Sequence, residues 1–246
     1  MIETAVALAF AHAMADFVLQ TDWIIRRKQR AEVLLLHVAI AVGASWVALG
    51  FAPAWGPLGL IALSHLALDA AKLRWGGRGF AGFALDQAGH LAFLLAAAAL
   101  APGAYAEGIW ARLAAGPAPP LTLLPTAMAL AAGLIFVVPA GGHAVAALMT
   151  AVQLPSSSLD SLPRGGRMIG KLERLLILML VLAGQPDGIG FLIAAKSILR
   201  FNELAGQPDR HVSEYVIIGT LASYAWAIAL GYATRATLQA LGFPVA

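Results

Sequence analysis

The chain has 246 residues, of which 60% are hydrophobic and only 12% are charged, and its net charge is +3. A soluble domain is usually about 25% charged and needs polar residues over its surface. This composition therefore excludes an ordinary soluble enzyme, a disordered chain and a nucleic-acid-binding domain. The chain has no cysteine, which excludes disulfides, iron–sulfur clusters and thiolate metal sites.

Long apolar runs predict an all-α, polytopic transmembrane helical bundle with about eight membrane segments. The first 20 residues lack the basic start of a signal peptide and carry Glu3 instead, so we expect a retained first span. The predicted segments are 3–20, 33–51, 57–74, 83–101, 121–144, 166–184, 188–203 and 212–234. A linker rich in proline and glycine, 102–120, separates a four-helix half (1–101) from a second (121–235), and a tail (236–246) follows.

Lysine and arginine are concentrated in alternate loops between the predicted segments. Only Arg112 and Arg235 lie on the opposite side. The basic loop residues are Arg26, Arg27, Lys28, Arg30, Arg74, Arg78, Arg164 and Arg210. Because cytoplasmic loops carry an excess of lysine and arginine, this pattern predicts that the odd-numbered loops are cytoplasmic and that both termini lie outside the cytoplasm.

Histidine and aspartate recur four residues apart inside the predicted spans. Residues at i and i+4 share one face of a helix, so each helix presents an imidazole and a carboxylate in the same direction. With a rise of about 1.5 Å per residue, antiparallel spans place these groups in one layer in the cytoplasmic half of the membrane. The pairs are His12/Asp16, His65/Asp69 and, in reverse order, Asp86/His90, and the second span adds His37.

Ionisable groups inside a membrane are costly and mark candidate functional sites, and this layer allows three interpretations. One is a divalent metal site for Zn, Mn, Fe or Co, which histidine and carboxylate bind without sulfur and which could activate water for hydrolysis. The second is a structural network of buried His–Asp hydrogen bonds with an Asp69–Lys72 pair. The third is a path through an ion- or proton-coupled transporter. Recurrence at one depth favours the metal site, and the short loops argue against a scaffold for a cytoplasmic partner.

Under the metal-site interpretation each polar residue has an expected role. The metal-ligand candidates are His12, Asp16, His65, Asp69, Asp86 and His90. His37 is a ligand or an acid/base, and the catalytic candidates are His37, Asp16 and Asp69. Gln20, Asp22, Lys72 and Gln87 are expected to orient the ligands. In the second half, Glu173, Arg174, Lys196, Arg200 and Glu214 are expected to bind a polar headgroup, anionic or lipid-linked.

These motifs resemble a bacterial membrane-protein family labelled domain of unknown function 3307. The motifs that carry the resemblance are His12-Ala-Met-Ala-Asp16, Ser-His65-Leu-Ala-Leu-Asp69-Ala-Ala-Lys72, Leu-Asp86-Gln87-Ala-Gly-His90, Ile-Gly170-Lys-Leu-Glu173-Arg174, Lys196-Ser197-Ile-Leu-Arg200-Phe201 and Glu214-Tyr215. The first four helices are also similar to inner-membrane, metal-dependent hydrolases related to LexA-regulated proteins, which share an intramembrane His-x-x-x-Asp motif. The resemblance implies a multi-pass protein of the bacterial inner membrane, in contact with lipids and binding no nucleic acid.

Overall fold

A computed structural model describes residues 1–76, 79–115, 119–152, 165–204 and 210–245. Within these ranges the regular structure is entirely helical, which confirms the predicted all-α class. Arg78 and Arg164 lie outside the described residues.

The first part of the chain folds into four long helices and one short one. Helix α4 (Trp55–Trp75) is antiparallel to both α3 (Ala31–Ala48) and α5 (Phe80–Leu100). His37 near the start of α3 contacts His65 in α4, and Lys72 near the end of α4 contacts Asp86 near the start of α5. Helix α1 packs against α3 and α5. The helices are α1 (Ile2–Met14, continued by a π-helical turn, Ala15–Leu19), α2 (Asp22–Arg27), α3 (Ala31–Ala48), α4 (Trp55–Trp75) and α5 (Phe80–Leu100).

An apolar core fills the end of this bundle away from the basic loop. It includes the buried alanines Ala7, Ala11 and Ala97, and the larger side chains of Leu8 and Leu49. Small residues allow the backbones of membrane helices to approach closely. Apolar packing at this end therefore holds the helices together and leaves the polar residues clustered at the other.

The second part adds shorter elements and three long helices. Helix α7 (Ile109–Ala114) lies within the predicted linker. Helix α8 (Leu124–Ile135) packs on both α1 and α12 (Arg210–Ala240), so the two predicted halves are in contact, and the domain division itself stays a prediction. The elements are α6 (Ala104–Glu107), α7 (Ile109–Ala114), a 3₁₀ turn (Pro119–Leu123), α8 (Leu124–Ile135), a π-helical turn (Phe136–Ala140), α9 (Gly141–Met149), α10 (Gly165–Leu182), α11 (Asp187–Leu204) and α12 (Arg210–Ala240).

The π-helical turn between α8 and α9 contains Pro139, which has no backbone N–H to donate. Side chains of the second half satisfy carbonyls of this turn. Trp226 Nε1 donates to the carbonyl of Phe136 at 2.8 Å, and Arg174 Nη2 donates to the carbonyl of Val138 at 2.9 Å. The interrupted helix is therefore tied to both α10 and α12.

Among the described residues, five stretches are long and apolar enough to cross a membrane: Ile2–Leu19, Ala31–Ala48, Phe80–Leu100, Leu121–Met149 and Glu214–Ala240. This supports a membrane protein. A helix occupies each of the eight predicted segments, but α4, α10 and α11 are not among these five. Eight membrane segments, the cytoplasmic side and the positions of the termini therefore stay predictions.

Candidate metal centre

Seven polar side chains from four helices meet at one end of the first bundle, and we call them the His–Asp cluster. Six of them are buried, and 9% of the Asp16 side chain is exposed. The members are His12, Asp16, His37, His65, Asp69, Asp86 and His90. The π-helical turn places Asp16 between two neighbours, because Oδ2 lies 3.9 Å from His12 Nδ1 and Oδ1 lies 3.3 Å from His37 Nε2. Turns of this kind recur at functional sites.

Four donor atoms converge at the centre of the cluster. His37 Nε2 and His65 Nε2 are 3.0 Å apart. Asp16 Oδ1 lies 3.3 Å from His37 Nε2 and 3.5 Å from His65 Nε2. Asp69 Oδ2 lies 3.7 Å from His37 Nε2 and 3.5 Å from His65 Nε2. Tetrahedral ligands at metal–ligand distances of about 2.0–2.2 Å are about 3.3–3.6 Å apart. The spacings of His37, His65 and Asp69, from 3.0 to 3.7 Å, are close to this range, and these three residues form one group of possible ligands.

Hydrogen bonding fixes which nitrogen of His90 carries a proton. His90 Nδ1 lies 2.8 Å from the backbone carbonyl of Asp86. Because a carbonyl only accepts, Nδ1 donates, and in the neutral ring the lone pair lies on Nε2. His90 Nε2 is buried and has no hydrogen-bond partner among the described residues. A histidine that donates one N–H to a carbonyl and leaves the other nitrogen free has the usual arrangement of a metal ligand.

A similar argument applies to His12. Its Nε2 lies 3.3 Å from the side-chain oxygen of Gln87, which accepts, and the Gln87 amide group donates to Asp86 Oδ2 at 3.1 Å. The neutral His12 ring therefore has its lone pair on Nδ1, on the side of Asp16. The expectation that Gln87 orients a ligand is consistent with this chain of hydrogen bonds.

Two lysines neutralise part of the cluster. Lys28 Nζ lies 2.8 Å from Asp69 Oδ2, and Lys72 Nζ lies 2.7 Å from Asp86 Oδ2. Lys72 thus connects α4 to α5 rather than forming the Asp69–Lys72 pair expected from the sequence. Sequence analysis missed Lys28, because one lysine in a run of basic loop residues has no distinguishing spacing. The Lys72 side chain is 47% exposed.

Gln20 connects Lys28 to Asp16 of the cluster, whereas Asp22 is exposed. In the orientation that satisfies both ends of its amide, Gln20 accepts from Lys28 Nζ at 2.7 Å and donates to the backbone carbonyl of Asp16 at 3.3 Å. The same amide lies 3.3 Å from His37 Nε2. Asp22 is exposed in the first turn of α2, where Thr21 caps the helix.

Several buried polar atoms of the cluster have no hydrogen-bond partner among the described residues: Asp16 Oδ1, His37 Nδ1, Asp86 Oδ1 and His90 Nε2. Buried polar groups usually have a partner, and exceptions call for an explanation. The described residues also contain three overlapping groups in which one ligand atom from each member lies within 4.8 Å of the others: His12/Asp16/His65, His37/His65/Asp69 and Asp69/Asp86/His90. This donor set fits a divalent cation without thiolates.

The candidate headgroup residues of the second half form a separate arrangement. Lys196 Nζ lies 2.6 Å from Glu173 Oε2 and 5.4 Å from the ring centroid of Tyr224. Arg174 is buried and donates to Ser223 Oγ at 3.0 Å as well as to the Val138 carbonyl. These contacts hold α10, α11 and α12 together.

Two further headgroup candidates, Arg200 and Glu214, lie on α11 and α12. Glu214 is exposed at the start of the span in α12. The side chain of Arg200 lies outside the described part of the structure. Their predicted headgroup role therefore stays a prediction.

One family model matches the part of the chain that contains the cluster. Residues 5–107 match the family described as protein of unknown function (DUF3307). The match covers less than half of the chain but includes every residue of the His–Asp cluster. The resemblance predicted for the second half lies outside it. Searches of curated proteins and of solved structures found no significant match.

Proposed function

We propose that this chain is a membrane-embedded, divalent-metal-dependent hydrolase whose centre is the His–Asp cluster. The observation that carries the proposal is the convergence of His37 Nε2, His65 Nε2 and Asp69 Oδ2, which suits three ligands of one cation with a position left open. Orphaned buried atoms support it, since a network built only for stability would pair them.

The residues divide into cation ligands and groups that handle protons. His37, His65 and Asp69 would hold the cation and leave a fourth position for a water, whose pKa the cation would lower to about 7. Asp16 Oδ1, which lies 3.3 Å from His37 Nε2 and 3.5 Å from His65 Nε2, would be available to accept a proton. His90 is held through Nδ1, so its Nε2 lone pair is available to accept a proton. Asp86 Oδ1 is a second buried acceptor, and Lys72 stabilises the charge of the same carboxylate.

A transporter is the second candidate, because the interrupted helix at Pro139 resembles the broken helices of carriers. This turn also lies near the cluster, because the centroid of the Phe136 ring is 6.2 Å from the centroid of the His12 ring. However, Trp226 and Arg174 already bind carbonyls of the turn. Those oxygens therefore support packing rather than ion coordination, which favours the hydrolase.

Metal content of the purified protein tests the proposal. We expect about one equivalent of a divalent metal in the native chain after metal-replete growth, and its loss in His37→Ala and His65→Ala, because losing a ligand weakens binding by at least the roughly tenfold that loss of an outer partner costs. His143→Ala is the matched control, since His143 is an exposed histidine on α9 outside the cluster. Folded native protein without metal, or equal metal in all variants, would reject the centre.

A further inference from the structure

An apolar groove lies between α5, α9 and α12, and it has a volume of about 260 Å³. Three alanines of α12, spaced three and four residues apart, form one wall of the groove. Because their side chains are small, they leave space beside that face of the helix. The lining residues are Phe80, Ala144, Val145, Ala222, Ala225, Trp226 and Ala229. Such a lining suits a flexible apolar chain.

The groove lies beside the segment of α5 that contributes to the His–Asp cluster. Phe80 lines the groove, and the Phe83 ring lies 6.0 Å from the ring of Trp226 in the groove wall. Asp86 follows Phe80 by six residues, or about 9 Å along the helix. An extended molecule can therefore occupy the groove with one end and approach the cluster with the other.

Two lysines lie on elements next to the groove. Lys72 is half exposed, with its ammonium 2.7 Å from Asp86, six residues after Phe80 of the groove. Lys171 is exposed on α10, which packs against α9, and both lysines interact electrostatically with His143, the residue preceding Ala144 of the groove. An anionic headgroup would be complementary to these charges, since each lysine near an anionic lipid surface strengthens binding by about fivefold.

The charge of the cluster also favours an anion. Three carboxylates face two lysine ammonium groups, so with neutral imidazoles the net charge is −1. One divalent cation would change this to +1. Uncompensated charge is costly in a region of low dielectric constant, and one negative charge on a bound ligand would neutralise it.

From these observations we propose that the α5–α9–α12 groove binds an acyl chain of an anionic lipid, with the headgroup at Lys72 and Lys171. Lipid binding stands on the groove and the lysines alone. The role of that lipid as the substrate rests on the proposed hydrolase function, and it requires the headgroup to reach the cluster beside Asp86.

Photo-crosslinking in vesicles tests this site. The probe is phosphatidylglycerol with a diazirine in its acyl chain, present at low abundance in phosphatidylcholine vesicles that contain the purified protein. We expect labelling to concentrate on residues 222–229 and 144–145. Unlabelled phosphatidylglycerol should compete with the probe for the groove more strongly than unlabelled phosphatidylcholine, by about fivefold for each of the two lysines. The double variant Lys72→Gln/Lys171→Gln should remove this difference.

A pair of substitutions on α12 provides the structural control. Ala225→Trp fills the groove and should reduce its labelling by at least about tenfold. Leu221→Trp adds the same ring at an exposed position of α12 that does not line the groove and should leave labelling unchanged. Labelling spread evenly over exposed faces, equal effects of the two variants, or equal competition by the two lipids would each overturn the proposal. Groove labelling in a protein that binds no metal would keep the lipid site and reject the hydrolase.

Discussion

Gln87 shows how a single side chain can set the chemistry of two others. Its oxygen accepts from His12 and its amide group donates to Asp86, so one carboxamide fixes a histidine tautomer and satisfies a carboxylate oxygen. Partners of this type commonly change metal affinity by about 10- to 100-fold when they are removed. Spacing on α5 predicted that Gln87 orients ligands, because it adjoins Asp86, but its partner on α1 depends on the packing of the two helices.

Lys28 would weaken the binding of a cation, whereas Gln87 would strengthen it. Its ammonium lies 2.8 Å from Asp69 Oδ2, where it competes for the same oxygen. We therefore expect Lys28→Met to raise the affinity for a divalent cation by at least about tenfold, because two like charges a few ångströms apart repel by several kcal/mol at intermediate dielectric constant. Isothermal titration of metal into metal-stripped protein measures the change.

Arg30→Gln is the control for Lys28→Met. Arg30 is exposed in the same loop, so the substitution removes one positive charge without touching Asp69. It should change the affinity by less than about twofold, since exposed charges are screened by salt. Weaker binding in Lys28→Met would mean that Lys28 supports the site rather than competing for it.

The sequence predicted which helices carry polar residues of the cluster better than it predicted which of those residues contact each other. The four-residue spacing places an imidazole and a carboxylate on one face of α1, α4 and α5, and this geometry is local to each helix. The contacts between residues of different helices are not determined by the spacing within one helix. Lys72 pairs with Asp86, and Lys28 pairs with Asp69, because the antiparallel packing of α3, α4 and α5 and the loop after α1 bring those atoms together. The π-helical turn at Asp16 has no sequence signal that we could identify.

Close packing of α8 on α12 gives a prediction for these two helices. A Cβ atom added to Gly133 would clash with the side chain of Thr234, which is buried and donates to the Leu230 carbonyl at 2.7 Å. Gly133→Leu should lower the free energy of unfolding by at least about 1–3 kcal/mol, the usual cost of overpacking. Thermal unfolding in detergent, followed by circular dichroism, reports the loss.

Gly43 provides the matched position, because a Cβ atom there has no neighbour within 4 Å. Gly43 lies inside α3, so Gly43→Ala should raise stability by about 0.5–1 kcal/mol through the lower backbone entropy of the unfolded chain. If Gly133→Leu unfolds at the native temperature, α8 and α12 do not pack as the structure has them.

The arrangement of the whole molecule bears on whether α4 crosses the membrane. Helices α3 and α5 qualify as spans and run in the same direction, since α4 is antiparallel to both. The chain leaves α3 at one end of the bundle and must begin α5 at the other. Helix α4 has 21 residues, as α5 does, or about 31 Å at a rise of 1.5 Å per residue, which is enough to span the hydrocarbon core. Its lower hydropathy reflects the polar residues that it contributes to the cluster.

Because the chain has no cysteine, single introduced cysteines can locate each loop without background. We expect Arg30→Cys and Gly79→Cys to react with a membrane-impermeant maleimide from one side of the membrane, and Phe51→Cys from the other. The positive-inside rule predicts that the first pair is cytoplasmic. Phe51 and Gly79 labelled from the same side would mean that α4 does not cross. The three carboxylates and four histidines could then not share one depth within a transmembrane bundle, since α4 contributes His65 and Asp69 to the centre of the cluster.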